Sequence, residues 1–295
     1  MNDGFRMYHP LVLFTYYLVA IIAITINRHP FFLLISVLLL IFFNWTVDQG
    51  KTMNVWLRFL IVFSLLLFFI HPLLNHRGRH VLFYLFNEPI TLESVYQGAI
   101  NALTFLAIML LFITFPHVLD AEKFLFLFGR AFPKWGMLAM LAVRFVPLFR
   151  LRLEEILTVQ RARGISITTG TVRERLKNGF LLVHLLFPWS LEDGIQTADS
   201  MPARGYGLGR RTRYHPYNFR VYDFLGMAFM TIFFILSIIG YRLGDGVLSV
   251  TPVIEPVLLS GREWLFFIIH CLLIGFPLIV DLKEAALWLY WKQKT

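Results

Sequence analysis

Six stretches of this chain, each fourteen to twenty residues long, are nearly free of charge: Leu11–Ile26, Pro30–Phe43, Leu57–Leu73, Gln97–Pro116, Phe224–Tyr241 and Trp264–Val280. Crossing a bilayer takes about 20 predominantly apolar residues. The first two stretches therefore reach that length only with their flanks, and they form a tight pair around Asn27-Arg28-His29. No soluble fold of 295 residues needs so much apolar sequence, and 58% of the chain is hydrophobic against 15% charged. The expectation is an all-α polytopic membrane protein with about six transmembrane helices. Leu11–Ile26 leads directly into a second apolar run, which makes it a retained anchor and not a cleaved signal. Cys271, the single cysteine, lies in an apolar run, so no intrachain disulfide or cysteine metal site can form.

Between the fourth and fifth stretches lies a long basic interruption. Thirteen of the 27 Lys and Arg residues fall between Arg144 and Arg220, against six Asp and Glu, so that segment carries +7 of the formal +9. Positive loops face the cytoplasm, and six spans then put both termini there too. Trp288, Tyr290, Trp291, Lys292 and Lys294 fit an aromatic belt followed by inward positive charge. Leu243–Glu263, with Arg262 against Asp245, Glu255 and Glu263, fits an external loop; the loop carrying Arg77 and Arg79 does not. The expected organisation is 1–116 as four N-terminal spans, 117–222 as a cytoplasmic layer of amphipathic helices, and 223–295 as two C-terminal spans.

Within the layer, Trp135–Phe149 contains Arg144 and Pro147. Its seven Leu, Val and Phe residues contribute about 2 to 4 kcal/mol to insertion, and one central Arg costs about 2.5 to 3.5. The balance is near zero and the stretch is short. An amphipathic helix at the interface or beneath the bundle is expected instead of a seventh span. Gly179–Leu191, interrupted by Pro188, has the same reading.

A short phrase occurs twice in this layer: Gln160-Arg161-Ala162-Arg163-Gly164 and Met201-Pro202-Ala203-Arg204-Gly205-Tyr206-Gly207. Each follows apolar residues at helical spacing: Leu153, Ile156 and Leu157 before the first, Leu191, Ile195 and Ala198 before the second. A cation in the last turn and a glycine free to take positive φ are ordinary helix-ending chemistry. That reading leaves the small residue before each Arg unexplained. Ala162 and Ala203 clear the approach to a guanidinium, as a groove closing over it would require, and arginine offers a forked, permanently charged donor set to carboxylates and carbonyls. Pro202 predicts that the second helix is kinked or broken in its last turn.

With both motifs in view, the chain resembles the transmembrane T component of energy-coupling-factor (ECF) transporters, the EcfT/CbiQ-like family of prokaryotic micronutrient importers. The resemblance rests on Gln160–Gly164, on Arg144-Phe145-Val146-Pro147, on Pro133, and on Ala198–Gly207 with the trailing Arg211-Thr212. It covers roughly 110–220 in register, with a looser match at His9-Pro10-Leu11. It implies a multi-pass protein of the prokaryotic cell membrane whose partners are two ABC-type ATPase subunits, a substrate-binding membrane (S) subunit and the lipid bilayer, with no nucleic acid. It further implies that Arg163 and Arg204 dock into the ATPases, that Ala162, Gly164, Ala203 and Gly205 shape the helix ends, and that Arg144, Pro147, Arg161 and Arg211 support the coupling helices. The resemblance makes the chain a non-enzyme without a cofactor of its own, ATP being bound by the partners; no Gly-x-x-x-x-Gly-Lys-Ser/Thr loop occurs in the sequence. Its cargo would be a vitamin or a transition-metal ion, chosen by another polypeptide.

Other features carry less. His76 and His80 are spaced to share a helix face but lack an obvious third metal ligand. His71, His117, His184 and His270 lie on apolar segments where neighbours satisfy them. Gly205-x-Gly207-x-Gly209 follows a helix end instead of a strand, unlike a dinucleotide loop. Arg210, Arg211, Arg213 and Arg220 suit anionic lipid headgroups. Two other functions fit the pattern. An integral-membrane enzyme acting on a phosphorylated lipid would need bases beside the arginines, with Glu154, Glu155, Asp193 and Asp199 available. A conventional ABC permease would show one coupling segment per subunit and pair with a second copy.

Overall fold

A computed structural model describes residues 4–75, 78–85, 88–165, 168, 170–209, 217–248, 258–259 and 261–294. Those residues form ten α-helices, a single-turn 3-10 helix (Phe5–Met7) and one hairpin, and the chain divides into two compact units: residues 1–124 with 217–295, and residues 125–216.

The first unit begins with two helices started in the same way. α1 (Pro10–Ile26) and α2 (Pro30–Asp48) each have a proline at the first helical position, where no donor is needed. The preceding His9 and His29 accept the second backbone N–H on Nδ1, at 3.2 and 3.3 Å. α3 (Lys51–Leu74) and α2 both pack against α4 (Leu92–Val118), while α1 lies against α4 and α8 (Val221–Arg242), and α9 (Glu263–Ile274) lies against α8 and α2. Leu13, Tyr16, Leu33, Leu40, Ile100 and Leu111 are fully enclosed, whereas α3 exposes Trp56, Val62, Leu66 and Phe69. That exposed surface is what a lipid solvent calls for.

By length and composition α2, α3, α4 and α8 can each cross a membrane; α1 is apolar but has 17 residues. The expected single span at Trp264–Val280 is broken. α9 and α10 (Phe276–Lys294) meet at Gly275 with a bend of 61°, and as one broken span they raise the number to five. Pro277 explains the break, since it cannot donate to Leu273 and its ring crowds that carbonyl. The Ile274 carbonyl at the break accepts instead from the enclosed Tyr16 hydroxyl at 2.8 Å.

A buried polar network joins four helices of this unit. The fully buried His270 accepts from Asn27 Nδ2 at Nδ1 (3.3 Å) and faces Ser36 Oγ at 2.7 Å from Nε2; Asn27 also donates to Ser237 Oγ at 2.9 Å. Ser36 Oγ donates to the Phe32 carbonyl, so Nε2 carries the ring proton, and the two Nδ2 hydrogens of Asn27 are shared among His270 Nδ1, Ser237 Oγ and the Ala23 carbonyl at 2.9 Å. It ties the α1 end, α2, α8 and α9 together.

The segment after α3 differs from expectation. His80 lies in extended chain leading into β1 (Val81–Leu85), which pairs antiparallel with β2 (Glu88–Thr91), so it shares no helix face with a second histidine; His76 and Arg77 fall outside the described residues. Buried Glu93 accepts the N–H groups of Arg79 (3.0 Å) and His80 (3.2 Å) and lies 3.0 Å from His80 Nδ1, anchoring the hairpin to the α4 start. His117 is paired too, reaching Thr52 Oγ1 at 3.1 Å, while His184 is exposed.

Removing the hydroxyl that satisfies the α9–α10 break should be felt directly. Tyr16→Phe is expected to cost about 0.5 to 2 kcal/mol, read as a lower melting temperature in detergent; an unchanged melting temperature would mean that the Ile274 carbonyl finds another donor.

Candidate functional site

The second unit contains most of α5 (Ala121–Ala131) together with α6 (Pro133–Ala162) and α7 (Val172–Ala203). The stretches expected as separate short helices, 135–149 and 179–191, are parts of continuous helices of 30 and 32 residues that run through Pro147 and Pro188. Each proline frees one carbonyl, of Val143 and of His184, and both residues are exposed to a solvent that can satisfy them. α7 starts on a capping box: Thr171 Oγ1 accepts from Glu174 N–H at 3.4 Å and Glu174 Oε2 accepts from Thr171 N–H at 2.9 Å. Those hydrogen bonds hold the Glu174 carboxyl below its ordinary pKa. The cap therefore strengthens above the usual carboxylate range and weakens as pH falls through it.

Both Ala-Arg-Gly motifs end a helix, and they end it with one geometry. Arg163 and Arg204 stand just past the last helical residue, with φ/ψ of −86°/5° and −88°/9°. The following glycines turn left-handed, Gly164 at φ 78° and Gly205 at φ 82°. Gly164 N–H bonds to the Arg161 carbonyl and Ile165 N–H to the Gln160 carbonyl, both at 3.0 Å. Gly205 N–H bonds to the Pro202 carbonyl at 2.9 Å and Tyr206 N–H to the Met201 carbonyl at 3.0 Å. This double closure is a Schellman cap, made twice. A Cβ on either glycine would meet open space, so the requirement for glycine lies in the backbone and not in crowding.

Pro202 does not break the second helix. The cap asks this position for a carbonyl, which proline has; its missing N–H costs only the Ala198 carbonyl a donor. Ala162, Arg163, Gly164, Ala203, Arg204 and Gly205 are all exposed, as is Arg161. A cation at this place also complements the negative end of the helix, by about 0.3 to 1 kcal/mol.

The helices carrying these ends cross at Trp189. Phe149 meets its ring edge-on at 5.9 Å, and the Arg152 guanidinium lies over it at 5.1 Å. Ile156, Val159 and Gln160 share a cleft with Leu185 and Trp189, whereas Leu141 and Arg144 share one with Asp193 through Arg204. The two helices therefore run antiparallel. From the crossing, α6 extends about 16 Å to Arg163 and α7 about 22 Å to Arg204, in opposite directions, at 1.5 Å per residue.

Of the expected supporting residues, Arg144 lies exposed on α6 beside the Arg204 cleft, and Pro147 lies in the same helix one turn from the crossing. Arg211 falls outside the described residues. Of the carboxylates that a lipid-phosphate enzyme would use, Glu155 pairs with Arg152 at 2.6 Å and Glu154 lies 3.9 Å from Arg150, while Asp193 lines the cleft that Arg144 and Arg204 share. No group of three or more His, Cys, Asp or Glu side chains that could hold a metal ion occurs among the described residues. Sequence spacing missed Trp189, Phe149 and Arg152 as the crossing, because nothing local marks which aromatic residues on two distant helices will meet.

The family described as "CbiQ: Cobalt transport protein" matches residues 8–215. Among curated relatives, the chain is 30% identical over 107 residues to the "Energy-coupling factor transporter transmembrane protein EcfT" of Leuconostoc gelidum subsp. gasicomitatum, which is 35% of this chain and 40% of that protein. It is 32% identical over 98 residues to the protein of that name in Lactobacillus helveticus (33% and 35%), and 34% identical over 80 residues to the one in Bacillus subtilis (27% and 30%). The matched stretches thus span two-fifths or less of those relatives' own length.

Gly164→Ala and Gly205→Ala should each cost about 1 to 2 kcal/mol of cap stability, because a Cβ penalises the left-handed conformation. Gly179→Ala, inside α7 with open space around it, should instead stabilise by about 1 kcal/mol. Hydrogen exchange at the amides of residues 163–165 and 204–206 is the readout, and equal exchange in wild type and the cap variants would contradict the strain account.

Proposed function

The chain belongs to the CbiQ cobalt transport protein family, and from that premise we propose that it is the transmembrane coupling subunit of an ATP-driven, ECF-type importer of a vitamin or a transition-metal ion. The observation that carries this reading is the pair of exposed, identically capped arginines, held at opposite ends of an antiparallel helix crossing. One chain then offers two docking points to two ATPase subunits. Arg163 docks to one and Arg204 to the other, with Ala162 and Ala203 giving each groove room to close and Arg161, Arg144, Pro147 and Arg211 supporting the two arms.

Energy enters from outside the chain. ATP binding draws the ATPases together, and α6 and α7, about 45 and 48 Å long at 1.5 Å per residue, carry that motion through Trp189 as stiff arms. A separate substrate-binding membrane subunit takes up the displacement and releases its cargo inward. The chain supplies no catalytic residue and no cofactor, and ATP stays with the partners. The basic content of residues 144–220 supports a cytoplasmic location for the arms. With α1 and the bent α9–α10 pair each crossing once, six spans place both termini on that side of the prokaryotic plasma membrane.

A charge-assisted contact is worth about 1.5 to 3 kcal/mol, so Arg163→Ala with Arg204→Ala should remove about 3 to 6 kcal/mol of docking while the melting temperature stays within a few degrees. Affinity purification from the native membrane in mild detergent tests this. Wild type is expected to retain two ATPases per chain and a small membrane protein, and the double variant to lose the ATPases. Absence of any ATPase with the wild-type chain would overturn the reading and revive lipid-phosphate chemistry on the basic arms.

A further inference from the structure

Each docking arginine is preceded by a cleft, and the two clefts occupy matching positions on their helices. Gln160, Val159, Ile156, Glu155 and Arg152, which line the first, stand three, four, seven, eight and eleven residues before Arg163. Met201, Ser200, Thr197, Gln196 and Asp193, lining the second, stand at the same distances before Arg204. That spacing is one face of a helix. The opposite helix closes each cleft: Leu185 and Trp189 of α7 close the first, Leu141 and Arg144 of α6 the second. Leu185 and Arg144 again match, nineteen residues before the arginine of their own helix. The cavities are nearly equal, about 340 and 320 Å³. The antiparallel pair thus has an approximate two-fold relation about Trp189.

Their chemistry is not alike. The first cleft is walled by Ile156, Val159, Leu185 and Trp189, and its one cation, Arg152, is already bonded to Glu155 at 2.6 Å. Gln160 is buried there, and its Oε1 has no hydrogen-bond partner. A buried acceptor of this kind calls for a donor from whatever fills the space. The second cleft is lined by two arginines, Arg144 and Arg204, with Thr197 and Ser200 beside them. Asp193 is its one carboxylate, and it makes no ion pair within 4.0 Å with either arginine among the described residues. One net positive charge remains to be met.

We propose that the two clefts anchor the two ATPases by unlike contacts: the Arg204 cleft takes a carboxylate side chain, held by Arg144 and Arg204, and the Arg163 cleft takes an apolar side chain carrying an N–H or O–H donor that reaches Gln160 Oε1. This rests on the coupling reading above. Gln160 and Met201 are each three residues before the docking arginine and so neighbour it on the same helix face. A subunit that covers the arginine covers the mouth of the cleft. Charge complementarity selects the carboxylate at one end, and the absence of a free cation in the other cleft selects an apolar body there. The two ends are then not interchangeable, and the ATPase pair docks in one orientation.

Single-end variants separate the two anchors. The chain in phosphatidylcholine nanodiscs is titrated with the ATPases that co-purify with wild type, at 0.05 and 0.5 M KCl, salt levels on the order of those that take screening from weak to strong. Arg163→Ala, which leaves an end with two cations, Arg144 and Arg204, should lose about tenfold in affinity over this range; Arg204→Ala, which leaves the single docking cation of Arg163, should lose only about threefold. Adding Arg144→Gln to Arg163→Ala should bring its salt loss down to the smaller value, while Arg144→Lys, which keeps the charge, should preserve most of it. Gln160→Leu added to Arg204→Ala should weaken binding about five- to tenfold at both salts, by stranding the partner's donor. Equal salt losses at the two ends, or no effect of Arg144→Gln in a variant with its parent's melting temperature, would overturn the proposal. If phosphatidylglycerol nanodiscs abolish the salt loss of Arg163→Ala, the cleft holds a lipid headgroup and the proposal also fails. A wild-type chain that retains no ATPase refutes the coupling reading itself, a result distinct from these.

Discussion

A helix that stops leaves its last carbonyls without donors, and both long helices of the second unit meet that constraint in one way: a residue turned into the left-handed region. Gly164 at φ 78° and Gly205 at φ 82° bring their own N–H and that of the following residue back onto the last turn. The consequence for function is positional. The arginine before each glycine becomes the exposed final residue of a rigid rod, with its cation at the negative end of the helix. Loss of the turn would leave Arg163 and Arg204 on fraying chain, where holding a guanidinium in a groove would cost conformational entropy at every docking event.

Rigidity at the tips is useful only if the rods share a fulcrum. Trp189 provides it, pressed by the edge of Phe149 and covered by the Arg152 guanidinium. Because the helices run antiparallel through this point, their C-terminal ends diverge, which suits two separate partners better than one. The first unit is built differently. There buried polar groups pair across helices, as in the contacts of His270 with Asn27 and Ser36, and as in the Tyr16 hydroxyl that satisfies the broken α9–α10 junction. Groups so paired hold helices in register where no water is available to compensate them.

Much of this was legible in the sequence, for definite reasons. Charge-free runs mark helices that face lipid, because the solvent acts on every residue of the run; α2, α3, α4 and α8 coincide with expected spans. The Arg-Gly ends were legible because capping chemistry is local. What depended on contacts between distant segments was not. Pro188 read as an interruption, yet α7 continues through it as α6 does through Pro147, since one exposed carbonyl per proline is a small cost against a crossing that sequence spacing cannot show. Pro202 read as a break because the rule concerns its N–H, while the cap uses its carbonyl. Pro277 had the opposite outcome: a span expected to be straight is bent by 61°, with a tyrosine hydroxyl from α1 supporting the bend. The hairpin at β1–β2 went unseen because Glu93, which anchors it, acts across fourteen residues from Arg79.

The central claim is that the two capped ends move with ATPase closure and carry that motion inward. With Cys271 replaced by alanine, spin labels at Arg161 and Leu208, both exposed, report the distance between the ends by pulsed electron resonance in the assembled complex. The account predicts a shift of several ångströms, on the order of a helix displacement at a switching interface, when a non-hydrolysable ATP analogue binds, and no shift in the isolated chain given the same nucleotide. A distance that stays fixed in a complex whose ATPases demonstrably bind and hydrolyse ATP would contradict it.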